Sequence, residues 1–259
     1  RLDARGGDWV RAQEIARKAI ARAQENDFGE GDQLVWAGKA AIEAGLWDEG
    51  IEVLGAYLEQ YPSEPRGKFE LGKALVLTAE RERDCRDLAC IGHAPGAEAL
   101  SDEAHSRFKG LMEQVVLSTQ SAESVRWLAR GEVAFAPTLQ TIREFGQIAN
   151  PTVDTAAIVR ALRGTGNWPA AALAAQQASD LPEVQFQLGL GYLVEDPECG
   201  YAMISKLREQ MSRMPLLQVL ESRLAESTGR SDLAAQALEE ALTIWPDEPV
   251  WQGKAASMA

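Results

Sequence analysis

The stretch Leu34-Val35-Trp36-Ala37-Gly38 opens an amphipathic segment that extends to residue 44. Residues 45–47 interrupt the pattern, and a second amphipathic segment covers residues 48–60 before Pro62 stops it. Apolar residues that recur every three to four positions are typical of a helix with one buried face. A proline cannot continue a helix, because it lacks the backbone donor. This stretch therefore predicts a helix, a tight turn and a second, antiparallel helix.

The same unit returns along the chain at a nearly constant interval. Gly38 and Gly72 hold equivalent places in two such segments, at a spacing of about 34 residues. Toward the end of the chain, Pro182, Pro215 and Pro249 follow one another at almost the same spacing. Such a period is the signature of stacked structural repeats, because one hairpin alone cannot bury its apolar face.

The ends of the unit match as well. Tyr61-Pro62-Ser63-Glu64-Pro65 corresponds to Trp245-Pro246-Asp247-Glu248-Pro249, with an aromatic before the proline that ends one helix and a second proline that opens the next. Leu188-Gly189 repeats the pair Leu71-Gly72. These features resemble the tetratricopeptide repeat (TPR) family, whose unit is a helix hairpin of about 34 residues.

The resemblance implies an all-α fold, a right-handed α-solenoid of about six stacked antiparallel helix hairpins. In such a fold the two helices of a hairpin approach closely where their facing residues are small. Small residues hold these places at Gly38, Gly72, Gly189 and Ala234.

We interpret residues 1–259 as a single TPR-like domain, with clear repeats at 31–75 and 182–248 and degenerate repeats at 101–180. The interval from Gly72 to Gly189 exceeds three full repeats by about 15 residues. Because residues 82–100 show no clean helical period, we expect a loop insertion there. The helices expected in the degenerate part cover residues 101–119, 121–133, 137–149, 152–163 and 168–179.

Both ends of the chain suggest incomplete repeats. A helix from Asp8 to about Gln24 resembles the second half of a hairpin, whose first half would precede Arg1. We therefore interpret the chain as a processed or excised fragment, from which a targeting signal could have been removed. Residues 249–259 are either a capping helix or another broken repeat.

Charge argues against two classes of partner. The formal net charge is −13 and the pI is about 4.7. A protein that binds nucleic acid needs a basic surface to neutralise phosphates, and an anionic membrane also attracts basic segments. No apolar run reaches the length of a membrane span. We therefore expect neither nucleic-acid binding nor membrane insertion. We expect the protein in the cytoplasm or in the periplasm and cell envelope. The excess of arginine over lysine favours a bacterial origin.

The resemblance also implies a site, because in the TPR family the first helix of each hairpin lines a groove that holds a peptide or a partner helix. The alternative is that the aromatic residues at these places belong to the core between repeats. Carried over to this chain, the groove residues are Val35, Lys39, Ile42, Phe69, Lys73, Val76, Phe186, Leu190, Leu193, Val219 and Arg223.

Cys85 and Cys90 lie in the expected insertion, where they would form a disulfide in an oxidising compartment. A zinc site that includes His93 is an alternative, although structural zinc sites usually need four ligands, and free thiols are a third reading. We predict no metal and no cofactor.

No catalytic motif emerges from the sequence, and we expect no enzyme. The predicted function is a protein-interaction scaffold that binds a peptide or helix of a partner protein in its concave groove. The alternatives are a regulatory or docking arm of a larger enzyme, and a structural spacer in a bacterial cell-envelope assembly. The oligomeric state is open.

Overall fold

The computed structural model of the chain describes residues 9–25, 31–89, 102–210, 215–244 and residues 252, 254 and 255. In these residues the secondary structure is helical, with no strand, which confirms the all-α class predicted from the sequence. A short 3-10 turn at Gln176–Ala178 follows the ninth helix. The helices are α1 (Trp9–Glu25), α2 (Gly31–Glu43), α3 (Trp47–Gln60), α4 (Pro65–Ala89), α5 (Asp102–Thr119), α6 (Ala122–Phe135), α7 (Leu139–Ile148), α8 (Pro151–Gly164), α9 (Trp168–Ala175), α10 (Pro182–Glu195), α11 (Pro197–Gln210), α12 (Pro215–Ser227) and α13 (Ser231–Ile244).

In the described part of the chain, six hairpins follow α1, and we number them in chain order as α2/α3, α4/α5, α6/α7, α8/α9, α10/α11 and α12/α13. The first helices α2 and α4 begin at residues 31 and 65, and α10 and α12 begin at residues 182 and 215, which matches the interval predicted from the sequence. In the degenerate middle the interval between first helices is shorter, since α6, α8 and α10 begin at residues 122, 151 and 182.

Local sequence signals explain where the helices start. Five of the described helices begin with a proline, which tolerates the first helical position because the backbone donor there has no partner to lose. The side chain of Thr138 accepts a hydrogen bond of 3.1 Å from the backbone of Thr141, and the Thr141 hydroxyl accepts one of 2.9 Å from the backbone of Thr138. This reciprocal capping box satisfies two backbone donors at the start of α7.

Three of the described hairpins share one turn geometry, with a glycine in the left-handed conformation at residues 45, 166 and 229. In the first, Leu46 donates a backbone hydrogen bond to Ala41 at 2.8 Å, and Gly45 donates one to Ile42 at 3.0 Å. The same pair of bonds recurs at Gly166 and at Gly229. These bonds define a Schellman motif, which ends a helix and satisfies its last carbonyls.

We expect Gly166→Ala to lower the free energy of unfolding by about 1 kcal/mol, because φ at this residue is +74° and a side chain there is strained. Gly146→Ala is the matched control, since an added Cβ there meets no atom within 4 Å and the residue is helical and exposed. A urea titration of both variants measures the effect. A stabilised Gly166→Ala variant would contradict the described turn.

Glycines also set the close approach of paired helices. A Cβ added at Gly38 would lie 2.7 Å from Leu54 Cγ in the first hairpin, and one at Gly72 would lie 2.5 Å from Met112 Sδ in the second. In the fifth hairpin, a Cβ at Gly189 would lie 2.6 Å from Ile204 Cδ1. No real Cβ packs this closely, so the small-residue positions predicted from the sequence are confirmed for these three hairpins.

The described residues form two compact units. Unit 1 contains residues 9–82 and 102–149. Consecutive helices pack there as α1 with α2, α2 with α3, α5 with α6 and α6 with α7. The sequence predicts that the chain is a single domain, and this stays a prediction.

Unit 2 contains residues 83–89 and the described residues from 150 onward. In it the two helices of each hairpin pack together, and the first helices α8, α10 and α12 contact one another in order. Packing of each hairpin on the next is what a helical repeat requires.

The expected start of the insertion is wrong. Residues 82–89, assigned to a loop from their lack of an apolar period, are the last two turns of α4. The inward side chains Arg83, Asp84 and Asp87 are charged and pack against other charged side chains, so burial leaves no apolar pattern in this part of the sequence. Residues 90–100 of the expected loop lie outside the described residues. The same holds for most of the expected C-terminal segment 249–259.

Candidate functional site

The eleven predicted groove residues divide into two groups. Six of them are buried in the two main hydrophobic cores and therefore line no open surface. The sequence analysis left open that the aromatic residues belong to the core between repeats. Phe186, one of the six, is buried in this way. The other five are partly exposed, and their role in binding stays a prediction. The buried six are Val35, Ile42, Val76, Phe186, Leu190 and Val219. The partly exposed five are Lys39, Phe69, Lys73, Leu193 and Arg223.

An exposed tryptophan lies beside this predicted set. Trp36, on α2, is 56% exposed. The Nζ atom of Lys39 lies 5.5 Å from the centroid of its ring, and the guanidinium carbon of Arg66, on α4, lies 4.9 Å from it. A cation at these distances from an indole is attracted by the electron-rich face of the ring. Trp36 thus lies at the junction of the first helices of two successive hairpins.

Similar cation contacts occur on the next first helix, but around a buried tryptophan, since Trp127 is 8% exposed and belongs to the core of unit 1. Trp127, on α6, has the Nζ atom of Lys73 at 5.5 Å from its ring centroid and the guanidinium carbon of Arg130 at 4.7 Å. Lys73 is also 5.4 Å from the ring centroid of Phe69. We call this surface of unit 1 the aromatic–cation band, formed by Trp36, Lys39, Arg66, Phe69, Lys73, Arg126, Trp127 and Arg130.

Two buried carboxylates hold the cations of the band in place. Glu70 lies 3.0 Å from Lys73 and 3.8 Å from Lys39. Glu80 accepts two hydrogen bonds from the guanidinium of Arg130, at 2.9 and 2.8 Å. A bidentate pair of this kind fixes both position and orientation. Lys39, Lys73 and Arg130 are therefore preorganised.

The charge of the band differs from that of the neighbouring helix. The second helix of the first hairpin, α3, carries four carboxylates and no basic residue. The first helices α2, α4 and α6 carry the lysines and arginines of the band instead. In a chain with a net charge of −13, these helices thus place lysine and arginine side chains beside the exposed Trp36, although they carry carboxylates as well.

A second cluster of charge lies in unit 2, where the end of α4 packs against α8 and α10. Arg160 donates two hydrogen bonds to the carboxylate of Asp84, at 3.0 and 2.8 Å. The amide of Gln187 donates to both oxygens of the same carboxylate, each at 3.0 Å. Arg163 donates to Asp87, and also to the side-chain oxygen of Gln187 at 3.1 Å.

This cluster is almost closed to solvent, since Asp84 is 3% exposed and Gln187 is fully buried. Burial raises the pKa of Asp87, although the nearby Arg163 lowers it. Burial likewise lowers the pKa of Arg83, although Asp87 raises it. For both groups the loss of hydration therefore outweighs the favourable charges around them. We call Asp84, Asp87, Arg160, Arg163 and Gln187 the buried ionic cluster.

The predicted cysteine pair is only partly described. Cys85 lies on α4 and packs partly buried against the core of unit 2, while Cys90 and His93 lie outside the described residues. The disulfide therefore stays a prediction. Within the described ranges, no group of three or more His, Cys, Asp or Glu is placed to hold a metal ion. None of the helices described is both long and apolar enough to cross a membrane.

The sequence contained a signal for the band that the groove prediction missed. The prediction selected Val35 on α2, whereas the exposed aromatic is the next residue, Trp36. An aromatic residue followed by a cation three or four positions later occurs on each of the three first helices. Residues at this spacing face the same side of a helix. These pairs are Trp36 with Lys39, Phe69 with Lys73, and Trp127 with Arg130.

Comparison with known proteins returned no matching family model and no matching curated protein. Among solved structures, one similar chain is TTC0263, a thermophilic TPR protein of Thermus thermophilus, at 15% identity and a TM-score of 0.41, covering 88% of this chain and 98% of that one. Another is YrrB, a TPR protein with an unusual peptide-binding site, at 12% identity and a TM-score of 0.33, covering 93% of this chain and 97% of that one. Over most of its length, this chain is similar to these two TPR proteins.

Proposed function

We propose that the chain is a protein-interaction module that binds a segment of a partner protein on the aromatic–cation band of unit 1. The observation that carries the proposal is the exposure of Trp36 between two cations. Tryptophan and arginine are the residue types most enriched among the side chains that dominate binding free energy. A large aromatic surface left in water is free to be covered by a partner.

The chemistry of the band indicates what such a segment carries. An apolar or aromatic side chain would cover the indole of Trp36, and a carboxylate would lie near Lys39 and Arg66. Arg66 lies 3.0 Å from Asp32, whose side chain is 73% exposed. An ion pair so open to water contributes about 0–1 kcal/mol, so Arg66 can exchange this carboxylate for a partner's at little cost. The buried Glu70 and Glu80 keep Lys39, Lys73 and Arg130 in place during this exchange.

The test replaces Trp36 and follows the affinity for a partner. A photo-crosslinking residue at the exposed position 33, one helical turn before Trp36 on α2, identifies the partner in host lysate, and the purified partner is then titrated calorimetrically. We expect Trp36→Ala to weaken binding by about 2 kcal/mol or more, roughly thirtyfold in Kd, because this is the size of a tryptophan hot spot.

Leu117→Ala is the matched control, since Leu117 belongs to unit 1, is 78% exposed and lies on α5, outside the band. It should leave the affinity unchanged. Thermal unfolding of both variants checks that the fold is intact. A partner bound equally well by Trp36→Ala and wild type would assign binding to another surface and overturn the proposal.

A further inference from the structure

The first-helix side of unit 2 is occupied by a short segment of the chain itself, residues 83–89 at the end of α4. Asp84 lies 76 residues from Arg160 on α8 and 103 residues from Gln187 on α10. In a helical repeat each hairpin contacts its neighbours in sequence. This segment comes from the second hairpin, whereas α8 and α10 begin the fourth and fifth. The contacts of this segment with α8 and α10 therefore differ from the stacking of neighbouring repeats. They are similar to the contacts that a bound helix makes.

The segment presents two aspartates and a leucine to α8 and α10, and the buried guanidinium of Arg83 also lies beside α8, at Gly164. Asp84 and Asp87 are one helical turn apart, and both are held by arginines of α8. Leu88, the next residue, is 1% exposed and belongs to the core cluster that contains Phe186 and Leu190. Three of the residues that the sequence analysis assigned to a peptide groove, Phe186, Leu190 and Val219, thus share a core with an apolar anchor. An apolar side chain placed in a hydrophobic groove is a usual anchor of a bound amphipathic helix, and the two aspartates add charged contacts beside it.

The polar half of this contact is costly to bury. Asp84, Asp87, Arg160 and Arg163 all lose most of their hydration in the cluster. A buried ion pair roughly cancels its own desolvation penalty, so releasing both partners into water loses little, whereas removing only one leaves an uncompensated charge. A second helix that carries the same carboxylates can therefore replace the segment without leaving the arginines unpaired.

We propose that α8 and α10 form a receptor for a short acidic helix of a partner protein, and that residues 83–89 occupy this receptor as an internal ligand. The recognised pattern is two aspartates separated by two residues and followed directly by a leucine, as in Asp84-Cys85-Arg86-Asp87-Leu88. Arg160, Arg163 and Gln187 bind the carboxylates, and Phe186 and Leu190 receive the leucine. This site is separate from the aromatic–cation band and does not depend on the function proposed for it.

The probe for this receptor is a fluorescein-labelled peptide of residues 77–89 with Cys85→Ser, and its matched control carries Asp84→Asn and Asp87→Asn in addition. Each peptide is titrated by anisotropy against the wild-type chain and against the full chain with Asp84→Asn and Asp87→Asn. We expect the acidic peptide to bind the substituted chain at least about tenfold more tightly than the wild type, because an attached ligand competes at an effective concentration near millimolar. The control peptide should bind at least about tenfold more weakly than the acidic one.

Equal affinity of the acidic peptide for both chains would overturn the proposal, as would equal affinity of the two peptides for the substituted chain. Loss of cooperative unfolding in the substituted chain would also overturn it, because the segment would then be part of the fold. Hydrogen exchange on the wild-type chain gives an independent test. We expect residues 83–89 to exchange through an opening that leaves α8 and α10 protected. If residues 83–89, α8 and α10 exchange in one cooperative step, the segment is a structural part of the fold and the proposal is overturned.

Discussion

Gly131→Leu is expected to lower the free energy of unfolding by about 3 kcal/mol, the upper end of the cost of overpacking a core. Gly131 lies on α6, and an atom placed at its Cβ position would overlap the ring of Phe108 on α5. Phe108 is fully buried and stacks on Phe135 with ring centroids 5.5 Å apart. The ring has nowhere to move, so the two helices must separate. Urea denaturation with a linear fit measures the change.

Gly110→Leu is the matched control, because Gly110 lies exposed on α5 and an added Cβ meets no atom within 4 Å. This substitution should stabilise the chain by about 0.5 kcal/mol through helix propensity. A double variant, Gly131→Leu with Phe108→Ala, should recover part of the loss, since the two sites are in contact and their effects are not additive. If Gly131→Leu alone leaves the urea midpoint unchanged, the described packing of α5 on α6 is wrong.

The helices of the degenerate region could be predicted from the sequence because their ends carry strong local signals. The expected helix at 152–163 is observed as Pro151–Gly164, after the cap residue Asn150. The expected helix at 101–119 is observed as Asp102–Thr119. Proline, cap residues and glycine act on the backbone directly and need no tertiary partner. Boundaries of this kind are readable even where the repeat itself is weak.

The end of α4 could not be predicted, because its burial is ionic. Asp84 and Asp87 face arginines that lie at least 76 residues away in sequence, and a hydropathy pattern contains no information about that pairing. Charged residues are normally exposed, so a charged run without apolar period is interpreted as a loop or a solvated face. The sequence therefore placed a loop where the structure has a buried helix.

On α2 the groove prediction selected Val35, which is 1% exposed, whereas the next residue, Trp36, is 56% exposed, and one residue along a helix corresponds to a rotation of about 100°. Leu34 and Val35 are both buried, so the apolar pattern of α2 covers a wide arc and does not single out the exposed side. The aromatic–cation spacing identifies that side, because it pairs residues that must share one face.

Leu220→Ala is expected to lower the free energy of unfolding by about 2–5 kcal/mol, through lost burial and the cavity left behind. Leu220, on α12, is fully buried in the core of unit 2. Its Cδ2 atom lies 2.9 Å from the position of a Cβ on Gly189, so its side chain fills the space that the glycine of α10 leaves open. Because glycine offers no side chain that could expand into the cavity, we expect the cost to lie in the upper half of this range.

Leu233→Ala is the control, since Leu233 lies on the neighbouring α13 and is 46% exposed. The same deletion there should change stability by at most about 0.5 kcal/mol. In urea, Leu220→Ala should shift the midpoint and leave the slope unchanged, because the native packing changes and the surface exposed on unfolding does not. A loss for Leu220→Ala no larger than that for Leu233→Ala would mean that α10 and α12 do not pack through Gly189 and Leu220. The receptor proposed on α10 would then lose its structural support, because Phe186 and Leu190 are placed by the same core.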